Sequence, residues 1–116
     1  MKKEIKIYKI LKINIVLERL IEQDCKYEIN TSYKLYKLKK EINNIENYIF
    51  DRFYKLFNGK ELEQLSNNER IIYNTILDST IEINIPNISV EDILKNKEIK
   101  MSVQEIEIIE QLLAKN

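Results

Sequence analysis

From Thr31 to Phe57, apolar side chains recur as Leu35, Leu38, Ile42, Ile45, Ile49, Phe53 and Leu56, at steps of three and four. That spacing holds them on one stripe of a long amphipathic helix. At about 1.5 Å per residue such a helix spans roughly 40 Å. This exceeds the width of a small domain, so the helix is expected to be the ruler against which other elements lie. Thr31 or Ser32 suits its N-cap, and Asn58-Gly59 places the chain's single glycine where a left-handed C-terminal residue is wanted. Lys39 is expected on the outer face.

The chain before this helix changes period. Glu4 to Tyr8 alternates, with Ile5 and Ile7 on one face of a short strand. From Ile10 the spacing of Ile10, Ile13, Leu17, Leu20 and Ile21 becomes helical, ending near Gln23. A competing reading exists, because Ile5, Ile7, Leu11, Ile13, Ile15 and Leu17 are all odd-numbered and fit a longer strand or hairpin. The helix formers of Leu17 to Gln23 favour strand then helix. Asp24 to Asn30 reads as a connector.

Beyond Gly59, Lys60 to Leu65 is a polar link or frayed turn. Ser66 and Glu69 form a capping-box pattern that opens a helix with Ile72, Ile76 and Leu77 inward. Thr80 to Ile85 alternates as a strand closed by Pro86. Ser89 to Asp92 caps a short turn of helix reaching Leu94, and Glu98 to Met101 is a candidate third strand. Ser102 and Glu105 form another capping box before a terminal helix with Ile106, Ile109, Leu112 and Leu113 inward. The architecture expected is α+β: a small antiparallel sheet of two to three short strands packed with helices, around one long central amphipathic helix over about 31–57. Ile5 and Ile7 would share a core face with Ile81, Ile83 and Ile85, and Lys6 could pair with Glu82 across the sheet. Nothing in the pattern divides residues 1–116 into more than a single domain.

Composition narrows the chemistry. With 44% hydrophobic and 33% charged residues the chain is globular rather than disordered. Twenty-two isoleucines and 13 asparagines against one alanine reflect an AT-rich coding sequence. The chain has no histidine, one cysteine and one glycine. Imidazole bases, histidine or cysteine metal cages and glycine-rich phosphate loops are therefore excluded. Cys25 has only Lys26 beside it and reads as packing or an incidental thiol in a reducing cytoplasm. Glu105, Glu107 and Glu110 crowd the last helix, where a solvated face is the usual meaning of such a cluster. The expectation is a non-enzymatic, soluble, intracellular protein without cofactor, metal or membrane segment.

The net charge of zero conceals a split, for residues 1–60 carry a balance of +6 and residues 61–116 one of −6. Either the halves attract one another within the fold, or a dipolar surface presents its basic side to an acidic partner. Tyr33, Tyr36, Lys37 and Lys40 fall at adjacent helical positions, as a stacking-plus-phosphate surface would require. Glu41, Glu46 and Asp51 interrupt that run, and lysine far outnumbers arginine, the usual base reader. A nucleic-acid-binding module is thus the lesser alternative. Half-covered tyrosines are typical protein-interface anchors, which makes Tyr33, Tyr36, Lys37 and Lys40 candidate contacts on the basic half. Glu105, Glu107 and Glu110 are the candidates on the acidic half. A second aromatic row, Tyr36, Phe50, Tyr54 and Phe57, lies beside the main stripe, its phenylalanines expected in the core.

Three blocks together carry a family resemblance: IKIYKILKINIVLERLIE, SYKLYKLKKEINNIE, and STIEINIPNISVEDI followed by IKMSVQEIEIIEQLL. Their order resembles an uncharacterised family of small proteins encoded in bacteriophages and prophages of AT-rich bacteria. The family offers no catalytic residues to carry over. What it implies is a phage protein working in the cytoplasm of an infected bacterial host cell by stoichiometric contact. Beyond that origin, the dipolar charge favours a host CRISPR effector complex as partner, inhibited in the manner of anti-CRISPR proteins, since an acidic face can occupy a basic nucleic-acid channel. Alternatively it would be a phage structural protein, served as a virion assembly chaperone or joined as a minor structural component.

Overall fold

The computed structural model describes residues 1–113; residues 114–116, the end of the expected single domain, lie outside the described part. Strand β1 (Lys2–Lys6) pairs antiparallel with β2 (Thr80–Asn84), with Lys3 opposite Ile83 and Ile5 opposite Ile81. Two backbone hydrogen bonds between Met1 and Ile85 extend the ribbon by one pair. Ile5, Ile83 and Ile85 are buried, and Ile81 is half-buried at the rim of the same core. The register corrects the expected Lys6–Glu82 pair. Glu82 faces Glu4 and reaches Lys2 at 3.5 Å, while Lys6 sits opposite Thr80 and its ammonium donates to Asp78 at 2.9 Å.

The strand ends two residues earlier than its alternation indicates. Helix α1 (Ile7–Glu22) starts directly at Ile7, whose N–H donates to the Ser79 carbonyl. Ile7 therefore leaves the sheet face of Ile5 and joins a second apolar cluster with Ile49 and Ile76. The helical period of Ile7, Ile10, Ile13 and Leu17 prevails over the odd-numbered alternation. Ile15, which a strand would have turned inward, is 60% exposed.

Helix α2 (Ile29–Leu56) begins two residues before Thr31. Thr31 is not its cap but a buried residue on the same line as Leu38, Ile42 and Ile49. Ser32 instead lies in the first turn, its N–H donating to the carbonyl of Glu28. Along the expected stripe, Leu38, Ile42 and Ile49 are buried and Leu35, Ile45 and Phe53 half-buried, but Leu56 is 48% exposed. The helix outruns its cover there. Asn58 and Gly59 both take positive φ, 52° and 73°, and the Gly59 N–H returns to the Tyr54 carbonyl at 3.0 Å. That six-to-one bond is the Schellman stop.

A single 3₁₀ turn, Leu62–Gln64, interrupts the link before helix α3 (Asn67–Asp78). Ser66 and Glu69 cap α3 reciprocally at 3.0 and 3.2 Å, and the Ser66 backbone N–H holds the Glu69 carboxyl below its usual range. Ile76 is the buried residue of α3, and Leu77 is half-buried. Ile72, expected inward, is 48% exposed, because α3 rests on α1 and the end of α2 through one narrow edge. At that edge Phe53 meets Tyr73 at 4.8 Å and Phe57 at 6.0 Å between ring centroids.

After β2, helix α4 (Val90–Leu94) is capped by Ser89 and Asp92, and helix α5 (Val103–Leu113) by Ser102 and Glu105. Ile109, Leu112 and Leu113 of α5 are buried and Ile106 half-buried. The third strand expected over Glu98 to Met101 does not form. Gln23 takes both backbone groups of Lys100, its side-chain N–H donating to the Lys100 carbonyl and its Oε1 accepting the Lys100 N–H, each at 2.8 Å. A side chain thus satisfies what a strand partner would have satisfied.

The principal core joins both faces of this arrangement, with Ile10, Leu17, Leu38, Ile42, Ile83, Ile93, Ile109 and Leu112 almost sealed from solvent. Within the α1–α2 seam, Asn14 is 2% exposed and donates to Glu46 at 2.8 Å. Lys39 donates to Asn14, to Asn43 at 3.0 Å and to Glu18 at 3.2 Å. Lys39 is therefore part of an interhelical clasp and not an outer-face residue. Its stem follows the seam while its ammonium satisfies a buried amide. Ile42→Ala is expected to cost about 2–5 kcal/mol by opening a cavity in the sealed core. Lys39→Asp, which sets a carboxylate beside Glu18 and Glu46, should also destabilise clearly, whereas exposed Lys40→Asp should stay within about 0.5 kcal/mol. Urea unfolding of the three variants checks this; equal midpoints for Lys39→Asp and Lys40→Asp would contradict the clasp.

Candidate protein-binding surface

Four of the expected contacts come together. Tyr33, Tyr36, Lys37 and Lys40 occupy the outward side of the first turns of α2, opposite the buried line of Leu38 and Ile42. The rings of Tyr33 and Tyr36 stack at 6.5 Å between centroids with 26° between planes, and Lys37 Nζ lies 4.8 Å from the Tyr33 ring centre. Tyr33 is 57% and Tyr36 60% exposed, so each ring is half-covered and half-presented. The backbone beneath them belongs to a long helix pinned by its buried face. Binding would therefore cost little ordering entropy in the protein.

Tyr36 also borders a groove of about 290 Å³ between the end of α1 and the start of α2. Leu17, Leu20, Ile21, Tyr27 and Leu35 line it, with Lys39 and Asp24 as its charged members. Exposed Ile21 is a member that the helical spacing had placed inward. Tyr27 reaches in from the connector, and its hydroxyl is buried without a hydrogen-bond partner among the described residues. Burial, and secondarily the neighbouring Cys25, pushes the Tyr27 phenol up to about 12. Cys25 itself is half-buried and its thiol points to the Gln23 carbonyl at 3.6 Å. The groove is thus a largely apolar slot beside an aromatic-cationic platform.

The acidic trio is split. Glu105 is 7% exposed; it caps α5 through Ser102 and lies 3.5 Å from Arg19. It is a structural carboxylate and no surface contact. Glu107 and Glu110 remain exposed. Glu110 borders a shallow hollow shared with Lys34, Asn87 and Ser89, and Lys34 donates to the Asn87 carbonyl at 2.7 Å. The acidic and basic halves therefore meet near the start of α2. Lys2–Glu82, Lys6–Asp78, Arg19–Glu105 and Lys60–Glu69 are ion pairs that join the two halves. Much of the charge split is folded together, and the part that faces outward is local. Among the described residues no group of three or more His, Cys, Asp or Glu is placed to hold a metal ion, and no helix is long and apolar enough to cross a membrane.

The far end of α2 carries an apolar surface, and Phe50, expected in the core with the other phenylalanines, belongs to it. Phe57 is buried there and Phe53 half-buried, but Phe50 is 51%, Tyr54 70% and Leu62 48% exposed, with Ile71 at 64% on the adjoining α3. The second aromatic row beside the main stripe was its signal, together with a paired Ile71-Ile72 in a helix that needs one inward face. Comparison with protein-family models, curated proteins and solved structures finds no match for this chain.

The unpartnered Tyr27 hydroxyl gives a test of the groove. Its raised folded value means that the neutral phenol is favoured by the fold. This contribution is complete below the unfolded value near 10 and is lost as pH rises through about 12. Tyr27→Phe is expected to leave stability at pH 7 unchanged or higher by about 1 kcal/mol, and to flatten the loss of stability between pH 10 and 12. A variant that is less stable than wild type at pH 7, with an unchanged alkaline slope, would show that the hydroxyl is paired.

Proposed function

We propose that this chain is a small non-enzymatic bacteriophage protein that inhibits a host defence system by stoichiometric binding to one of its proteins, in the manner of anti-CRISPR proteins. The observation that carries the reading is the platform of Tyr33 and Tyr36, stacked and half-exposed beside Lys37 on a rigid helix and bordering an apolar groove. Aromatic anchors with a cationic rim next to a hydrophobic slot are the usual centre of a protein interface. Lys40 extends the rim, and Glu107 and Glu110 supply a separate acidic edge. The phage origin rests on the resemblance of the three sequence blocks, and the lack of histidine supports action by contact and not by catalysis.

A second reading is a virion-assembly chaperone or minor structural protein. The apolar surface of Phe50, Tyr54, Leu62 and Ile71 favours it, since assembly partners commonly cover such patches. A nucleic-acid-binding module built on Lys37 and Lys40 is the third.

Binding of the purified protein to a CRISPR effector complex and to single-stranded nucleic acid, each at low and moderate salt, separates these. The inhibitor reading expects one-to-one effector binding with no nucleic-acid affinity. Tyr33→Ala with Tyr36→Ala should weaken that binding by about 2 kcal/mol or more, roughly thirtyfold, and Lys37→Ala with Lys40→Ala should mainly slow association. Nucleic-acid binding with a steep salt slope would overturn it in favour of the module. Binding to neither, with recovery from assembly intermediates, would favour the virion role.

A further inference from the structure

A second cleft lies away from the tyrosine platform. It has a volume of about 630 Å³ and opens where β1 and the first turns of α1 pass the end of α5. Lys3, Lys6, Lys9 and Lys12 stand along it against a single lining carboxylate, Glu4. They recur every third residue across the strand-to-helix junction, and the helical period from Ile7 sets Lys9 and Lys12 on one side of α1, where a continuous strand would have divided them between two faces. Two of them are already engaged: Lys6 holds Asp78 at 2.9 Å, and Lys3 donates to the Gln111 carbonyl at 2.5 Å. Neither Lys9 nor Lys12 has a carboxylate within 4.0 Å among the described residues.

Two further features share the cleft. Tyr8 is half-buried, with Lys12 Nζ at 5.7 Å and Lys6 Nζ at 6.0 Å from its ring centre. The floor is apolar, formed by Ile5, Ile13 and Leu112 of the principal core with half-buried Ile108 beside them. A cationic rim above an apolar floor, at a size within the ordinary range for small-ligand sites, selects an anion with an organic body.

We propose that this cleft is a binding site for an organic phosphate of nucleotide size. Lys9 and Lys12 hold the phosphates, and Tyr8 and the floor receive the body. The site is separate from the Tyr33–Tyr36 platform and does not depend on the function assigned to it.

ATP and inorganic tripolyphosphate are suitable probes, titrated against ¹⁵N-labelled full-length protein at low salt, with a single-stranded oligonucleotide as a third arm. ATP should shift amide resonances of residues 3–13 and 108–112, bind at least tenfold less tightly to Lys9→Ala/Lys12→Ala, and bind unchanged to Lys37→Ala/Lys40→Ala. Both double variants change exposed lysines, and their dichroism spectra should match wild type. Tripolyphosphate should bind more weakly than ATP, and Tyr8→Ala should erase the difference. Equal affinity for the two anions in wild type would overturn the assignment of an organic body. No shifts at these residues at millimolar ATP, or insensitivity to Lys9→Ala/Lys12→Ala, would overturn the site. Affinity that rises with oligonucleotide length beyond that for ATP would replace it with a nucleic-acid track.

Discussion

The structure depends on one constraint: α2 is too long for a single small core to cover. Its 28 residues run about 42 Å in a molecule measuring 47 × 28 × 23 Å. Early in its stripe, Leu38 and Ile42 are buried in the principal core with residues of α1, the β ribbon and α5. Further along, Ile49 is closed over by Ile7 and Ile76, and the tip by a small aromatic contact of Phe53, Phe57 and Tyr73. Cover thins toward the helix end, which is why Leu56 ends in solvent although its spacing is that of a buried face, and Phe50, on the row beside the stripe, is exposed with it. The Asn14–Lys39–Glu46 clasp lies within the best-covered part. A polar group there fixes how α1 sits on α2, because only one register satisfies a buried amide.

The same constraint distributes the surfaces. A helix anchored along one line shows its opposite line in a fixed arrangement, and Tyr33, Tyr36, Lys37 and Lys40 are on that line. The groove beside Tyr36 exists because α1 ends at Glu22 while α2 begins only at Ile29, leaving the connector residue Tyr27 to fill the space from one side. At the other end of α1 the strand-to-helix junction at Lys6 and Ile7 sets Lys9 and Lys12 side by side along a cleft. Each surface is thus a consequence of where an element starts or stops, and each is built on backbone that the core holds still.

Much of this was legible in the sequence because the signals were local. The three Ser-x-x-acid capping boxes at Ser66, Ser89 and Ser102 each begin a helix where they stand, and Asn58-Gly59 ends α2. The alternation of Thr80 to Ile85 is a strand. What local pattern could not settle was decided by partners distant in the chain. Ile7 left the strand because helix α1 and Ser79 claimed it, and Glu98 to Met101 stayed irregular because Gln23 satisfied Lys100. Lys39 was read outward from charge alone, although its position beside Glu46 and Asn43 on the inner flank already hinted at a polar seam. Of the site residues, Tyr33, Tyr36, Lys37 and Lys40 were placed by helical spacing. Glu105 belonged to its own capping box, a role that the sequence had also assigned to it. The exposed apolar end of α2 was the feature least legible, since periodicity marks which residues share a face and is silent on whether anything covers it.

Site-specific photocrosslinking in cells under infection tests the central claim most directly, with a photoreactive residue placed in turn at Tyr36, at Tyr54 and at Glu107. A one-to-one adduct with a single protein of a host defence complex, formed from position 36 and abolished by Tyr33→Ala, is the predicted result. Adducts formed only from position 54 with phage structural proteins would contradict it, and equal labelling from all three positions would show that the tyrosine platform is an ordinary solvated helix face.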